Sequence, residues 1–317
     1  MGGGAVMRPP AAAPRVAVLL STYNGEAFLA AQLDSLAEQE GVDVQVFARD
    51  DGSTDATRRI LADYAGRWPA LAAPAGGEPL GPARSFLALL GSAPDGFDHY
   101  AFCDQDDVWA PDKLARAAAV LAAQSADHPL LYCSRVRFAD DQLRPLGESP
   151  LASDTRFEHL LFENIAFGNT VVLNAAARGL VATSPPGAGM IMHDWWCALV
   201  VSALGQVRYD PTPRVLYRQH RANVIGGPAG RLAEVRKHVR TFWRDPRRFY
   251  PIHGQATEFL RLFGDRLQPG QRAAVEALVG SRGSLAKRLR YALSGPMVRA
   301  RPIDAIAGRL LLAAGLY

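Results

Sequence analysis

Four consecutive residues, Asp104-Gln105-Asp106-Asp107, set three carboxylates side by side. Like charges at this density repel one another unless something positive sits between them, and a divalent cation with oxygen ligands, Mg2+ or Mn2+, is the usual answer. Such an ion keeps water and substrate phosphate oxygens in its shell, which points to a nucleoside diphosphate or a similar substrate. The competing reading is a solvated turn in which Asp106 or Asp107 caps the helix opened by Pro111. Two other polar clusters come earlier, Ser21-Thr22-Tyr23-Asn24-Gly25 and Asp50-Asp51-Gly52-Ser53-Thr54-Asp55, and His193-Asp194 comes later.

Each early cluster follows an apolar run that reads as a strand. Val16 to Leu20 is continuous and apolar, as expected of a strand covered on both faces. Val42 to Ala48 predicts a second strand and Tyr100 to Cys103 a short third one. Between them, Phe28, Leu29, Leu33 and Leu36 recur at helical spacing, as do Ile60, Leu61 and Tyr64, and then Ala83, Phe86, Leu87 and Leu90 after Pro82. Leu114, Ala118 and Leu121 continue the pattern. Strand and helix alternating in this way define a parallel α/β sheet, whose ligands bind where the strands end. The three clusters should therefore meet on one edge. Leu130 to Phe138 and Ala166 to Leu173 are further strand candidates, followed by a helix from Asp194 to about Leu204 and extended runs at Val207–Tyr209 and Arg214–Tyr217.

With 317 residues, 49% of them hydrophobic, the chain can build one large α/β domain and a smaller appendage. The longest strongly apolar run, Trp195 to Gly205, is about half of the roughly 20 residues a membrane span requires. Residues 1–14, rich in Gly, Ala and Pro, read as a disordered leader. The odd number of cysteines, Cys103, Cys133 and Cys197, fits reduced thiols in a cytoplasmic protein. Residues 1–229 carry 18 basic and 25 acidic side chains and residues 230–317 carry 17 and 6, so the two parts stand near −7 and +11. A glycine-rich stretch, Gly226-Gly227-Pro228 and Gly230, marks the change and places a body at 15–228 and a basic helical region at 229–317. With Phe242, Trp243, Phe249 and Tyr250 interleaved, that region is expected to dock on the body or on anionic lipid near a lipid-linked acceptor.

Five motifs in order, Val18-Leu19-Leu20-Ser21-Thr22-Tyr23-Asn24-Gly25, Arg49-Asp50-Asp51-Gly52-Ser53-Thr54-Asp55, Leu80-Gly81-Pro82-Ala83-Arg84, Cys103-Asp104-Gln105-Asp106-Asp107-Val108-Trp109 and His193-Asp194-Trp195-Trp196, resemble the inverting glycosyltransferase family 2 over about Arg15 to Ile225. The resemblance implies the GT-A fold, a Rossmann-like, mainly parallel sheet flanked by helices, here with a C-terminal helical extension. It implies that Thr22, Tyr23, Asn24 and Asp51 hold the base and ribose, with Arg84 and Asp104 also toward the donor. Asp106 and Asp107 are implied as the metal ligands, joined by His220 of Tyr217-Arg218-Gln219-His220, where Arg218 could also meet phosphate. The glycine expected after that histidine is Arg221 here. Asp194 matches the general base, Gly168-Asn169-Thr170 the acceptor-side loop, and one of Trp195 and Trp196 could line the acceptor cleft.

The form Cys-Asp-Gln-Asp-Asp-Val-Trp with His-Asp-Trp-Trp is similar to the rhamnosyltransferase-type branch. That likeness implies a dTDP-L-rhamnose donor, more broadly a dTDP- or UDP-sugar, and a glycan or lipid-linked acceptor of the cell envelope. The expected setting is cytoplasmic, with peripheral contact at the inner face of the membrane. Two alternatives stand beside this reading. A nucleotidyltransferase would use similar carboxylates but needs a glycine-rich phosphate loop that Tyr23-Asn24-Gly25-Glu26 does not supply. A nucleic-acid module in the basic region lacks any recognisable fold signature. The absence of G-x-x-x-x-G-K-[ST], G-x-G-x-x-G and H-E-x-x-H patterns removes the usual supports for kinase, dehydrogenase and zinc-protease readings.

Overall fold

The computed structural model describes residues 12–72, 75–152, 154–220, 252–295 and 302–315. Most of the expected leader, the proposed boundary near Gly226 to Gly230 and the aromatic residues Phe242, Trp243, Phe249 and Tyr250 lie outside these residues.

The central strand β1 (Arg15–Thr22) is buried from Val16 to Leu20, because parallel neighbours flank it and helices cover both faces. Its neighbours are β2 (Asp43–Asp50) and β4 (His99–Cys103), and β3 (Ala75–Gly76) closes that side. On the other side β9 (Val172–Asn174) runs antiparallel between β4 and β6 (Leu130–Ser134), with β10 (Gln206–Asp210) at the edge. The order β10-β6-β9-β4-β1-β2-β3 is the mostly parallel sheet expected. Helices α1 (Leu29–Ala37), α2 (Thr57–Arg67), α3 (Pro82–Ser92) and α4 (Lys113–Leu121) carry the crossovers and bury most of the apolar side chains that the spacing marked, whereas Phe28, just before α1, lines the cavity described below.

A second, four-stranded sheet joins β5 (Val108–Trp109), β11 (Val215–Arg218), β7 (Arg137–Ala139) and β8 (Pro145–Glu148). Two expected strands change shape because of it. Leu130–Phe138 divides into β6 and β7, which belong to different sheets, with the switch held by Arg135 Nε donating to the Ser149 carbonyl at 2.6 Å. Ala166–Leu173 is mostly not strand. Gly168–Thr170 forms a 3-10 turn, in which Thr170 Oγ1 donates to the Phe167 carbonyl at 2.8 Å and accepts from Ser134 N at 3.2 Å. The hydroxyl thus satisfies backbone groups locally and delays the strand to Val172.

After the short helices α5 (Phe157–Leu160) and α6 (Ala175–Ala182), helix α7 (His193–Leu204) is buried continuously from His193 to Val201. A helix apolar on every side needs cover on every side. Part of that cover comes from α8 (Ile252–Phe263), whose Phe259 and Phe263 rings both lie 6.2 Å from Trp196. Helix α9 (Pro269–Ser281) adds Val275 and Leu278 to the same core. The described helices at 252–263 and 269–281 are therefore packed on the sheet-bearing part of the chain. Trp195 and Trp196 are both inside it, so the expectation that one ring lines a cleft is corrected. Trp195 Nε1 donates to the Leu160 carbonyl at 2.6 Å instead.

Candidate active site

The register explains why the clusters converge. Thr22 pairs with Asp50 and Leu20 with Cys103, so the turns after β1 and β2 and the segment from Asp104 leave the sheet at one edge. There they line a cavity of about 760 Å3 together with Gly168, His193, Asp194 and His220. That volume lies within the usual range for small-molecule sites.

Backbone geometry in the first turn is set by its neighbours. Asn24 adopts φ +48° and its N–H donates to Ser53 Oγ at 2.9 Å, while Asn24 Oδ1 accepts from Thr54 N at 2.9 Å. Gly25 N donates to Thr57 Oγ1 at 2.7 Å. Gln105 grips the other side, accepting from Tyr23 N and donating to the Tyr23 carbonyl, each at 2.8 Å. A Cβ on Gly25 would come within 2.3 Å of Gln105 Oε1, which accounts for the glycine. Tyr23 and Asn24 reach the cavity, and Tyr23 is exposed. Thr22 lines it too, but its hydroxyl is buried and directed to Asp50 Oδ1 at 3.1 Å.

Asp51 sits at the start of α3, accepting from Leu80 N at 2.8 Å and Gly81 N at 2.7 Å, with Arg49 paired to the same carboxylate. Burial works against the charged form, but the bonds from Leu80, Arg49 and Gly81 outweigh it and hold the pKa below its ordinary value. Oδ2 accepts only from Gly81 among these partners, so it retains a second acceptor position. The adjacent Asp50 is structural, buried and bonded to Ser53, Thr22 and Arg58. Arg84 is exposed on α3 and outside the cavity lining; the cation beside the donor wall is Arg49, which the motif contains but whose role the sequence did not reveal.

The acidic cluster separates into different roles. Asp106 and His220 face the cavity, with His220 Nε2 2.7 Å from Asp106 Oδ2 and its ring stacked on Phe28 at 4.9 Å. Asp104 also lines the cavity, and burial, followed by the charges of Asp106 and Asp194, pushes its pKa up to about 8. Asp107, which the resemblance implied as a metal ligand, does not line it. Its carboxylate is fully buried, accepting from Arg218 N at 3.1 Å and from Asn169 Nδ2, and so pins β11 and the 168–170 turn to β5. Arg218 is also committed to structure: Nε donates to the Asp106 carbonyl at 2.9 Å, and the guanidinium lies 4.6 Å from the Phe28 ring. Behind the cluster, buried Lys113 holds its ammonium 3.0 Å from the Trp109 ring, and burial lowers its pKa to about 7 despite nearby Asp107 and Asp104.

The cavity lining contains four carboxylates, Asp51, Asp104, Asp106 and Asp194, and no Lys or Arg among the described residues. A diphosphate could enter such a wall only with added positive charge. Asp106, His220 and Asp104 offer oxygen and nitrogen donors that suit Mg2+ or Mn2+. Among the described residues no three His, Cys, Asp or Glu side chains form a ready metal cage. A partial shell completed by phosphate oxygens and water is the usual arrangement for such ions.

Asp194 lies in the first turn of α7 with Oδ1 accepting from Trp195 N at 2.6 Å. Burial raises its pKa to about 6, against the bonds from Trp195, Asn164 and Gly168. A carboxylate with that value is poised to accept a proton near neutral pH. His193 beside it is buried between Phe86, stacked at 4.2 Å, and Phe102, edge-on at 4.8 Å, and burial lowers its pKa to about 3. It is a neutral packing element of the wall. A Cβ on Gly168 would lie 2.9 Å from His193 Nε2 and 3.6 Å from Asp194 Oδ2, so the turn reaches this wall because residue 168 is glycine.

Polar turns after β1 and β2, an acidic cluster and a separate buried carboxylate thus stand together on a sheet of the GT-A fold. Residues 17–168 match the family model "Glycosyl transferase family 2". Over 235 residues it is 28% identical to the dTDP-rhamnosyl transferase RfbG of Shigella flexneri, covering 71% of this chain and 80% of that one. Staphylococcus aureus TarS, solved with UDP-GlcNAc, superimposes with a TM-score of 0.57 at 17% identity, covering 94% of this chain and 81% of that one. The mannosyltransferase PcManGT of Pyrobaculum calidifontis, solved with GDP-Man and Mn2+, gives 0.50 at 23% identity, covering 96% and 87%. These structures share the fold.

Proposed function

We propose that the chain is an inverting, divalent-metal-dependent glycosyltransferase that moves a sugar from a nucleotide donor, with L-rhamnose from dTDP-L-rhamnose the favoured case, to an acceptor hydroxyl of a cell-envelope or surface glycan precursor. The observation that carries this reading is that one cavity holds a buried carboxylate with a pKa of about 6, Asp194, and a separate group made of Asp104, Asp106 and His220. The donor preference rests on the likeness to the Shigella enzyme.

Thr22, Tyr23, Asn24 and Asp51 seat the nucleotide, with Asp51 Oδ2 accepting from the imide N–H of thymine or uracil. Asp106 and His220, with Asp104 alongside, would hold Mg2+ or Mn2+, which would supply charge that offsets the diphosphate. Asp194 takes the proton of the acceptor hydroxyl as that oxygen bonds to the anomeric carbon. The bond from that carbon to the diphosphate oxygen breaks, and its electron pair leaves with the nucleoside diphosphate. The setting we assign is the cytoplasm; no described helix is long and apolar enough to cross a membrane.

Incubation with dTDP-, UDP- and GDP-sugars, with Mn2+, Mg2+ or chelator, tests the reading. Metal-dependent release of nucleoside diphosphate, greatest from dTDP-L-rhamnose, is expected. Release of pyrophosphate from a nucleoside triphosphate and a sugar phosphate would instead establish the nucleotidyltransferase alternative.

A further inference from the structure

Helices α10 (Leu285–Ser294) and α11 (Pro302–Ala314) pack against each other, and Arg309 ties them by donating to the Ala292 and Gly295 carbonyls at 2.6 and 3.1 Å. One side of α10 is committed to this contact and the core through Tyr291 and Ala292. A second apolar stripe remains open. Leu285, Leu289 and Leu293 recur every four residues, so they stand one above another on one helix face. Their exposure runs from 43% at Leu289 to 84% at Leu293. Helix α11 repeats the pattern, with Ile306 and Leu310 exposed while Leu312, about half a turn away, is buried. Of the nine large apolar side chains exposed among the described residues, five belong to these two helices. That concentration marks a surface rather than scattered exceptions.

The charge around the stripe says what covers it. The described residues from Arg282 to Gly295 carry four basic side chains, Arg282, Lys287, Arg288 and Arg290, and no acidic one. Exposed Lys287 and Arg290 lie on α10 itself, which has no acidic residue. An exposed apolar row with Arg290 beside it, on a helix whose other exposed charge, Lys287, is also a cation, matches an anionic lipid surface, where leucines enter the acyl boundary and the basic groups are drawn to headgroup phosphates. A second copy of this chain would set those cations against one another.

We infer that the α10–α11 hairpin is a membrane-docking face for anionic lipid, with Leu285, Leu289 and Leu293 as the inserting row and Lys287 and Arg290 as the headgroup contacts. This locates the peripheral membrane contact on described residues, and it does not depend on which sugar is transferred. Vesicle binding is read without turnover, so its failure and the failure of the transferase reading are separate results.

The test is co-sedimentation of the full chain with phosphatidylcholine vesicles, with and without phosphatidylglycerol, beside light scattering of the free protein. Wild type is expected to bind only the anionic vesicles, less so as salt rises. The triple variant Leu285→Glu, Leu289→Glu, Leu293→Glu should lose binding by at least tenfold. Lys287→Gln with Arg290→Gln leaves the apolar row intact and should weaken binding about fivefold per charge removed. Equal binding to both vesicle types, or unchanged binding by the triple variant, overturns the assignment. So does a wild-type dimer that the triple variant splits without any vesicle binding, which would make the face a contact between copies.

Discussion

The two walls of the cavity are supported in different ways. On the donor wall the braces come from successive βα units: Ser53, Thr54 and Thr57 fasten residues 24 and 25, and Gln105 fastens Tyr23. On the base wall the braces come from far along the chain. Ile191 N donates to Gln255 Oε1 at 3.1 Å, Gly187 N donates to Glu258 Oε1 at 2.6 Å, and Trp196 rests on Phe259 and Phe263. A Cβ on Gly189 would meet the Gly254 carbonyl oxygen at 2.5 Å, so the loop and α8 touch backbone to backbone. In the proposed reading, donor recognition is thus a property of the α/β half, whereas placement of the base depends on the helix that starts at residue 252.

The largest expected effect separates the walls by chemistry. Asp194→Asn should lower kcat by about 10^2 to 10^4-fold while leaving donor affinity unchanged. In the wild type, turnover should rise as Asp194 ionises through pH about 6 and level off above it. The same group leaves a mark on stability. Its folded pKa of about 6 exceeds its ordinary 3.8, so between these values the folded state holds a proton that the unfolded state has lost. Stability is highest below that window, falls as pH rises through it, and stays reduced above it, by up to about 3 kcal/mol. Asp194→Asn should remove the penalty, so at pH 7 the inactive variant melts at a higher temperature than wild type. A variant both inactive and less stable would contradict the burial argument.

The acidic cluster gives the next contrast. Asp106→Asn should weaken metal-dependent donor binding by about 10- to 100-fold with little change in melting temperature. Asp107→Asn should act mainly on stability, costing about 1 to 3 kcal/mol, because an amide cannot accept from both Arg218 N and Asn169 Nδ2 as the carboxylate does. Calorimetry with donor and Mn2+ beside thermal melts checks both. Equal losses of donor affinity in the two variants would return Asp107 to the ligand shell.

The contrast also explains what was legible in the sequence. The donor wall could be read because its partners are short-range: strands end in polar turns, and the parallel register aligns those ends. Which carboxylate faces the cavity could not be read. Asp106 and Asp107 are adjacent and alike in type, and only the return of β11, more than a hundred residues later, buries one and leaves the other open. The fate of the tryptophans was hidden for the same reason. Nothing local to His193-Asp194-Trp195-Trp196 signals that Phe259 will cover the helix. Gln255 and Glu258 belong to no motif and look like ordinary helix-surface residues until the loop at 187–191 is laid on them.

The smallest effect probes that last support. Gln255→Ala removes the acceptor for Ile191 N, a bond worth about 1 kcal/mol, and loosens the segment leading into Asp194. A several-fold fall in kcat at unchanged donor KM is expected, with the acidic limb of the pH profile displaced because the environment of Asp194 changes. Gln255→Glu keeps the accepting oxygen and should restore most of the loss. Ser53→Ala is the matching change on the donor wall, since Ser53 Oγ accepts from Asn24 N. It should raise donor KM by a similar factor and leave the pH profile where it was. If both variants moved the same parameter, the two walls would not be independently supported, and the C-terminal helices would be general stabilisers of the fold rather than the holders of the base.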